Sequence, residues 1–257
     1  MTAFIHTGAG EYEHMTKSHT SVRVETGRKR VRVYLEGQVV ADTLTPLLVW
    51  EHPHYPAYYL PVGDTNLDFL EETGEIVRSP SRGDARRMTV RVGDRVAIGG
   101  ALRYDDSPVP EINGHIRFDW NAMDAWFEED EEVFTHPRSP YARVDILPSS
   151  RLVRVELDGV TIAETTNARM LFETHLPTRY YIPKTDVRMD LLVSRATTTG
   201  CPYKGTAEYW SVRIGDTLHQ DVAWSYRTPL PESQKIAGLI AFWKNVEIFI
   251  DGVRQES

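Results

Sequence analysis

The sequence predicts a mainly β protein that contains two copies of one domain. Apolar and polar residues alternate in short runs such as Val31–Leu35 and Val153–Leu157, and this two-residue period is that of a half-buried strand. Similar segments also recur 122 residues apart along the chain. We therefore expect two tandem domains of antiparallel sheets with a few short helices.

The repeat sets the expected domain boundaries. Val31-Arg-Val-Tyr-Leu-Glu-Gly aligns with Val153-Arg-Val-Glu-Leu-Asp-Gly at the offset of 122, which becomes 124 near the end because the second copy has two extra residues before Lys235. The predicted division is an N-terminal arm over residues 1–30, a first copy over 31–130, an ordered linker rich in proline and arginine over 131–152, and a second copy over 153–257.

Turn and helix signals are few. Glu36-Gly37 and Asp158-Gly159 end the first strand of each copy, and a glycine there suits a tight hairpin. Short helices are expected over 64–72 and 186–193, each capped by its first aspartate, and over 231–237.

Composition limits the class of protein. Hydrophobic residues make up 41% and charged residues 26%, as in ordinary globular proteins. The net charge of −8 disfavours nucleic acid and anionic membranes as partners, and the basic segment 23–32 is interpreted as a solvated strand edge.

The chain is expected to be cytoplasmic. Its only cysteine, Cys201, excludes an intrachain disulfide, and no signal peptide or membrane-spanning apolar run is evident. A monomer is plausible, because two fused copies can satisfy each other as an internal pseudo-dimer.

Several ordered motifs resemble one bacterial family. They are Pro177-x-Arg-Tyr-Tyr-Ile-Pro, Cys201-Pro-Tyr-Lys-Gly-Thr-Ala, Ala223-Trp-Ser-Tyr and Ile236-Ala-Gly-Leu-Ile-Ala-Phe, and they resemble domain of unknown function 427 in its tandem form. The resemblance implies a β-tent-like fold of two antiparallel sheets that lean together, as in methionine-R-sulfoxide reductases. Relatives hold a zinc with two cysteine pairs, which this chain lacks, so no structural zinc is expected. The family has also carried a nucleotidyltransferase label, but no Gly-Ser motif with paired aspartates occurs here.

Differences between the copies place the candidate site in the second one. The first copy has different residues at four aligned positions: Ser79, Arg82, Met88 and Leu102 correspond to Cys201, Lys204, Trp210 and Trp224. The first copy therefore lacks the thiol and the aromatic rings. The leading hypothesis is that the second copy binds a small, anionic or planar ligand in an aromatic cleft. The candidate ligand-binding residues are Arg179, Tyr181, Tyr203, Trp210, Trp224 and, from the linker, Arg143.

The alternative hypothesis is an enzyme that uses Cys201 as a nucleophile or redox thiol, assisted by Lys204. A lone cysteine is also a common buried apolar residue. Lys204 fits either an anion-binding role or a salt bridge with Glu173 or Asp186. Neither a cofactor nor a metal is predicted, since His52 and His54 lack an evident third ligand.

Overall fold

The computed structural model describes residues 22–255, which form two compact units. The first unit contains residues 22–51 and 57–130, and the second contains 52–56 and 131–255. Residues 1–21 of the predicted N-terminal arm lie outside the described residues. No helix in the described range has the length and apolar character needed to cross a membrane.

The first unit consists of antiparallel sheets. Its strands are β1 (Val24–Thr26), β2 (Val31–Leu35), β3 (Gln38–Thr43), β4 (Leu47–Val49), β5 (Ala57–Pro61), β6 (Leu70–Ser79), β7 (Gly83–Val92), β8 (Arg95–Tyr104), β9 (His115–Phe118) and β10 (Ala125–Glu128). A seven-stranded sheet has the order β1-β4-β5-β9-β8-β7-β6, and a smaller sheet contains β10, β2 and β3 in that order.

The second unit repeats this arrangement. Its strands are β11 (Glu131–Glu132), β12 (Val144–Ser149), β13 (Val153–Leu157), β14 (Val160–Thr165), β15 (Ala168–Glu173), β16 (Arg179–Tyr181), β17 (Leu192–Cys201), β18 (Gly205–Ile214), β19 (Thr217–Tyr226), β20 (Ala241–Phe242), β21 (Glu247–Ile250) and β22 (Val253–Arg254). The orders are β12-β15-β16, β17-β18-β19-β20 and β14-β13-β21-β22. An isolated bridge between Ile182 and Ile240 joins the first two sets at the place where Leu60 pairs with Ile116 in the first unit. We call the joined strands β12, β15, β16, β20, β19, β18 and β17 the main sheet of the second unit.

The predicted fold class is confirmed: the protein is mainly β, with antiparallel sheets in two halves. The structure adds that the repeat begins before residues 31 and 153. Val24 of β1 pairs with Val49, and Ile146 of β12 pairs with Leu171. Ile146 lies 122 positions after Val24, and Leu171 lies 122 positions after Val49, so the two pairs are equivalent. These two strands lie within the segments predicted as arm and linker, and the boundaries at 31 and 153 stay predictions.

The main sheet of the second unit buries both of its faces. One face packs against β13, β14 and β21 in a cluster that includes Val155, Ile182 and Val212. The other face carries a second cluster around Tyr181 and Trp224. Strand alternation sends neighbouring side chains to opposite faces, so each long strand contributes to both clusters.

The three predicted helical segments contain only short 3-10 turns, and the predicted aspartate caps are wrong. Single 3-10 turns lie at Val62–Asp64, Leu67–Phe69, Pro110–Ile112, Trp120–Ala122, Lys184–Asp186 and Met189–Leu191, and only Pro231–Ile236 spans its predicted segment. The segments from 64 and 186 soon become β6 and β17, mostly exposed edge strands without an apolar period. Asp64 and Asp186 do not cap helices; each accepts a hydrogen bond at 2.6 Å from a threonine, Thr43 or Thr165 respectively.

The predicted hairpin turns are confirmed. Glu36 and Gly37 have φ values of 49° and 69°, and Asp158 and Gly159 have 48° and 75°. Positive φ at both central residues is the geometry of a type I′ turn, which matches the twist of the flanking strands.

A buried carboxylate distinguishes the core of the first unit. The Glu128 side chain is 3% exposed, accepts a hydrogen bond from the Tyr58 hydroxyl and lies 2.5 Å from Lys29 Nζ. In the second unit the equivalent position is Ile250, since Glu128 pairs with Val31 as Ile250 pairs with Val153.

Removing the Tyr58 hydroxyl should destabilise the first unit. We expect Tyr58→Phe to lower the free energy of unfolding by about 1–3 kcal/mol, because a buried carboxylate loses a donor. The double variant Tyr58→Phe/Glu128→Ile should lose less, since both polar groups are then replaced by apolar ones. Chemical denaturation measures both.

The matched control is Tyr180→Phe, which changes the equivalent tyrosine of the second unit. Tyr180 is half-buried, and its hydroxyl has no hydrogen-bond partner among residues 22–255, so its removal should change stability by less than about 0.5 kcal/mol. Equal losses for Tyr58→Phe and Tyr180→Phe would contradict the assignment.

Candidate functional site

A cavity of about 180 Å³ lies on the aromatic face of the main sheet in the second unit. It is lined by residues of β15, β16, β18 and β19, by the loop between β15 and β16, by the turn before β18 and by the segment after β20. These residues are Leu171, Glu173, Leu176, Arg179, Tyr181, Lys204, Tyr209, Trp224, Tyr226 and Trp243.

The two-residue period of the strands builds the cavity wall. Arg179 and Tyr181 lie two residues apart on β16, and Trp224 and Tyr226 lie two apart on β19, so each pair shares a face. Tyr209 of β18 pairs directly with Trp224 across the sheet. The wall is therefore set by regular strand geometry rather than by a mobile loop.

An ion pair forms the polar part of the cavity. Lys204 Nζ donates to Glu173 Oε2, and the two side chains are only 11% and 10% exposed. Lys204 is held by the tight turn between β17 and β18, in which its backbone N–H donates to the Cys201 carbonyl at 3.3 Å. Gly205 completes the turn with a φ of 92°, which side-chain-bearing residues rarely adopt.

Arg179 supplies a second positive charge. Its guanidinium carbon lies 5.9 Å from the centre of the Trp224 ring, within the range of a cation–π contact. Among residues 22–255 this guanidinium makes no ion pair with a carboxylate. Its N–H groups are thus available to an acceptor in the cavity.

Tyr181 and Trp224 are fixed to each other. The Trp224 indole N–H donates to the Tyr181 hydroxyl oxygen at 3.1 Å, and the two rings meet edge to face at 6.2 Å. Burial raises the pKa of Tyr181 and outweighs the hydrogen bond from Trp224, which lowers it, so the hydroxyl stays protonated at neutral pH. Trp243 contacts Trp224 in the same edge-to-face manner at 5.9 Å.

The corresponding corner of the first unit is filled by an arginine. Arg117 Nε and Nη2 donate to the two oxygens of Glu51 at 3.2 and 3.4 Å, and the Tyr59 hydroxyl donates to Glu51 Oε1 at 2.6 Å. Arg117 pairs with Leu102 as Ala241 pairs with Trp224, so Ala241 stands where Arg117 would be. The second unit lacks the guanidinium that occupies this corner in the first.

Four of the predicted site residues line the cavity together: Arg179, Tyr181, Lys204 and Trp224. Lys204 forms a salt bridge with Glu173, one of the two acidic partners considered from the sequence, and not with Asp186.

The other predicted site residues are not among the lining residues. Trp210 lies on the opposite face of β18, against the cluster of Val155, Ile182 and Val212, which we call the inter-sheet core. The centre of its ring is 5.7 Å from Lys184 Nζ. The Tyr203 hydroxyl accepts the backbone N–H of Ser139 at 2.7 Å. Arg143 is 79% exposed and pairs with Asp145 at 3.0 Å.

Cys201 ends β17 and pairs with Gly205 across the hairpin. It is a half-buried free thiol. The cation that the nucleophile hypothesis requires, Lys204, has its ammonium on Glu173. The thiol hypothesis stays a prediction and gains no support from this contact.

Four further residues line the cavity that were not among the predicted site residues: Glu173, Tyr209, Tyr226 and Trp243. Trp243 aligns with Asp119 at the offset of 124, so the comparison of copies contained its signal. Tyr209 has the opposite parity to the buried Val212, which places it on the cavity side of β18. Glu173 could not be found in this way because both copies have the glutamate.

Clusters of metal-ligating side chains were also considered. Within the described range 22–255, no group of three or more His, Cys, Asp or Glu side chains is arranged to hold a metal ion. The groups that line the cavity include aromatic rings, two cations and one carboxylate.

Comparison with known proteins identifies a family. A search of curated proteins finds no match to this chain. The family model described as a domain of unknown function, DUF427, matches residues 23–129 and again residues 145–254, one match for each unit. The chain therefore belongs to the DUF427 family and contains two DUF427 domains in tandem.

Proposed function

We propose that the second unit binds a small, planar, anionic ligand in the cavity beside Arg179. The observation that carries the proposal is the Arg179 guanidinium, which lines an aromatic cavity and has no carboxylate partner within the described residues. Arginine presents N–H groups in a planar fork that matches the geometry of a carboxylate.

The charge balance of the cavity supports an anion. Lys204 and Arg179 are positive and Glu173 is negative, so the lining carries one more positive than negative charge. Burial keeps Tyr181 neutral, so it adds no charge at neutral pH. A ligand with one negative charge would balance the site, and a cation would add to its excess.

The size of the cavity supports a single ring. Its volume is about 180 Å³, and an engineered apolar cavity of about 150 Å³ in another protein holds benzene. Trp224 and Trp243 present ring surfaces at right angles, 80° apart, which would contact a flat ligand on its face and on its edge. Benzoate combines one ring and one carboxylate and is therefore a suitable probe.

Removing the Arg179 guanidinium should weaken benzoate binding. We expect Arg179→Ala, which introduces the alanine that the first unit has at this position, to raise the Kd for benzoate by about ten-fold or more. An NMR titration of the full chain measures the Kd. Arg143→Ala is the matched control, because Arg143 is exposed and pairs with Asp145 away from the cavity lining. If both variants bound benzoate as the wild type does, the proposal would be wrong.

Replacing Trp224 tests the aromatic wall separately. We expect Trp224→Leu, which introduces the leucine of the first unit, to weaken benzoate binding by about three- to ten-fold through loss of ring contact. Trp210→Leu removes a tryptophan from the opposite face of the neighbouring strand and should leave the Kd unchanged. An equal effect of both substitutions, with both proteins folded, would indicate a general loss of packing and not a ligand contact.

A further inference from the structure

Glu173 lines the cavity, and its two carboxylate oxygens are unequally hydrogen-bonded. Lys204 Nζ donates to Oε2, and no group within residues 22–255 donates to Oε1. A carboxylate in a partly dry environment is stabilised by hydrogen bonds to both oxygens, and each oxygen has about two lone-pair sites. The cavity therefore contains an acceptor that its own walls leave unused.

The first unit shows how the same carboxylate is satisfied when no cavity is present. Glu51 Oε1 accepts from both the Tyr59 hydroxyl and Arg117 Nε, and Oε2 accepts from Arg117 Nη2. Arg82 Nη2 lies 3.8 Å from Oε2 as a further cation. Three side chains thus surround Glu51.

Two of those donors are missing around Glu173. Ala241 replaces the arginine, and the hydroxyl of Tyr181, which accepts from the indole of Trp224, makes no hydrogen bond to Glu173. The loss concerns Oε1 in particular, because both missing donors bind Oε1 in the first unit. The second unit therefore lacks an N–H or O–H donor at the position that the Arg117 guanidinium occupies in the first unit.

We infer that the ligand of the second unit carries a hydrogen-bond donor as well as a carboxylate, and that Glu173 Oε1 accepts from this donor while Arg179 binds the carboxylate. The ligand class is a small, flat, ring-containing acid with a hydroxyl or N–H group on the ring. In the free protein, water supplies the donor, and the ligand replaces it. This inference rests on the proposed function and specifies its ligand.

The acceptor also explains how the site discriminates. A ring acid without a donor would displace the water and leave Glu173 Oε1 unpaired, which costs binding free energy. Sites that hydrogen-bond a substrate hydroxyl reject analogues lacking it far better than apolar pockets reject a missing methylene. Arg179 thus favours acids in general, and Glu173 selects among them.

The test compares matched probes on the full chain. The probes are meta- and para-hydroxybenzoate and the meta- and para-fluorobenzoates, which have a similar size but no donor. We expect at least one hydroxy isomer to bind about ten-fold tighter than its fluoro partner, the effect of one hydrogen bond to a charged group. NMR titration at neutral pH, where the phenol is protonated, gives each Kd.

A variant then shows whether Glu173 is the acceptor. Glu173→Met/Lys204→Met replaces the ion pair with apolar side chains of similar length, a change that proteins often tolerate. In this variant the hydroxy and fluoro probes should bind within about two-fold of each other, because the acceptor is gone. Glu247→Gln, at an exposed glutamate paired with Arg254, should keep the wild-type preference.

The outcomes separate the inference from the proposed function. If benzoates bind in an Arg179-dependent way but hydroxy and fluoro probes bind equally, the donor inference is overturned and the anion site stands. A hydroxyl preference that survives in a folded Glu173→Met/Lys204→Met protein also overturns it. If no benzoate binds the wild type, or if Arg179→Ala changes nothing, the proposed function fails and the inference fails with it.

Discussion

The alternation of side chains along the strands is the constraint on which the site of the second unit depends. Tyr180 and Tyr181 are adjacent, yet Tyr180 packs with the inter-sheet core and Tyr181 lines the cavity. Trp210 and Tyr209 divide in the same way on β18. A slip of one residue in any of these strands would exchange core and cavity residues, so the packing between the sheets also fixes the register of the site.

The two units surround an equivalent glutamate with different side chains. Each places a glutamate, Glu51 or Glu173, at or just after the end of an inner strand of the large sheet and beside a basic residue of the neighbouring hairpin turn. In the first unit Arg117 completes the set of donors. In the second unit an alanine and two tryptophans take the place of arginine, leucine and aspartate, which turns a filled corner into an aromatic-walled cavity. The scaffold is the same, and the difference lies in a few side chains on one face.

Much of the fold could be predicted from the sequence, but the reasons differ between elements. Val31–Leu35 and Val153–Leu157 have one buried face and a hairpin turn, so period and turn chemistry agree. The edge strands β6 and β17 expose most of their side chains, so their sequences do not alternate between apolar and polar residues. The sequence pattern therefore predicts helices for their first residues. β1 and β12 escaped the repeat because few apolar positions, such as the half-buried Val24 and the buried Ile146, constrain these edge strands.

The site was partly predictable for a related reason. Comparing the copies reveals residues that changed, such as Trp224, but it cannot reveal a shared residue whose surroundings changed, such as Glu173. Parity along β18 would have assigned Tyr209 instead of Trp210 to the cavity. The role of Glu173 could not be predicted from the sequence, because it depends on which donors reach each carboxylate oxygen.

The unequal satisfaction of the two glutamates bears on the balance between stability and function. A partly buried carboxylate with donors on both oxygens, such as Glu51, contributes to a rigid corner. Glu173 has one protein donor and a side chain that is only 10% exposed, a setting in which an unmade hydrogen bond is costly and a newly made one is correspondingly strong. Natural proteins depart from local satisfaction chiefly at functional sites, where the cost is offset by packing elsewhere. The rigid walls on β16, β18 and β19 supply that packing, so the second unit can keep an open acceptor and an available guanidinium without losing its fold.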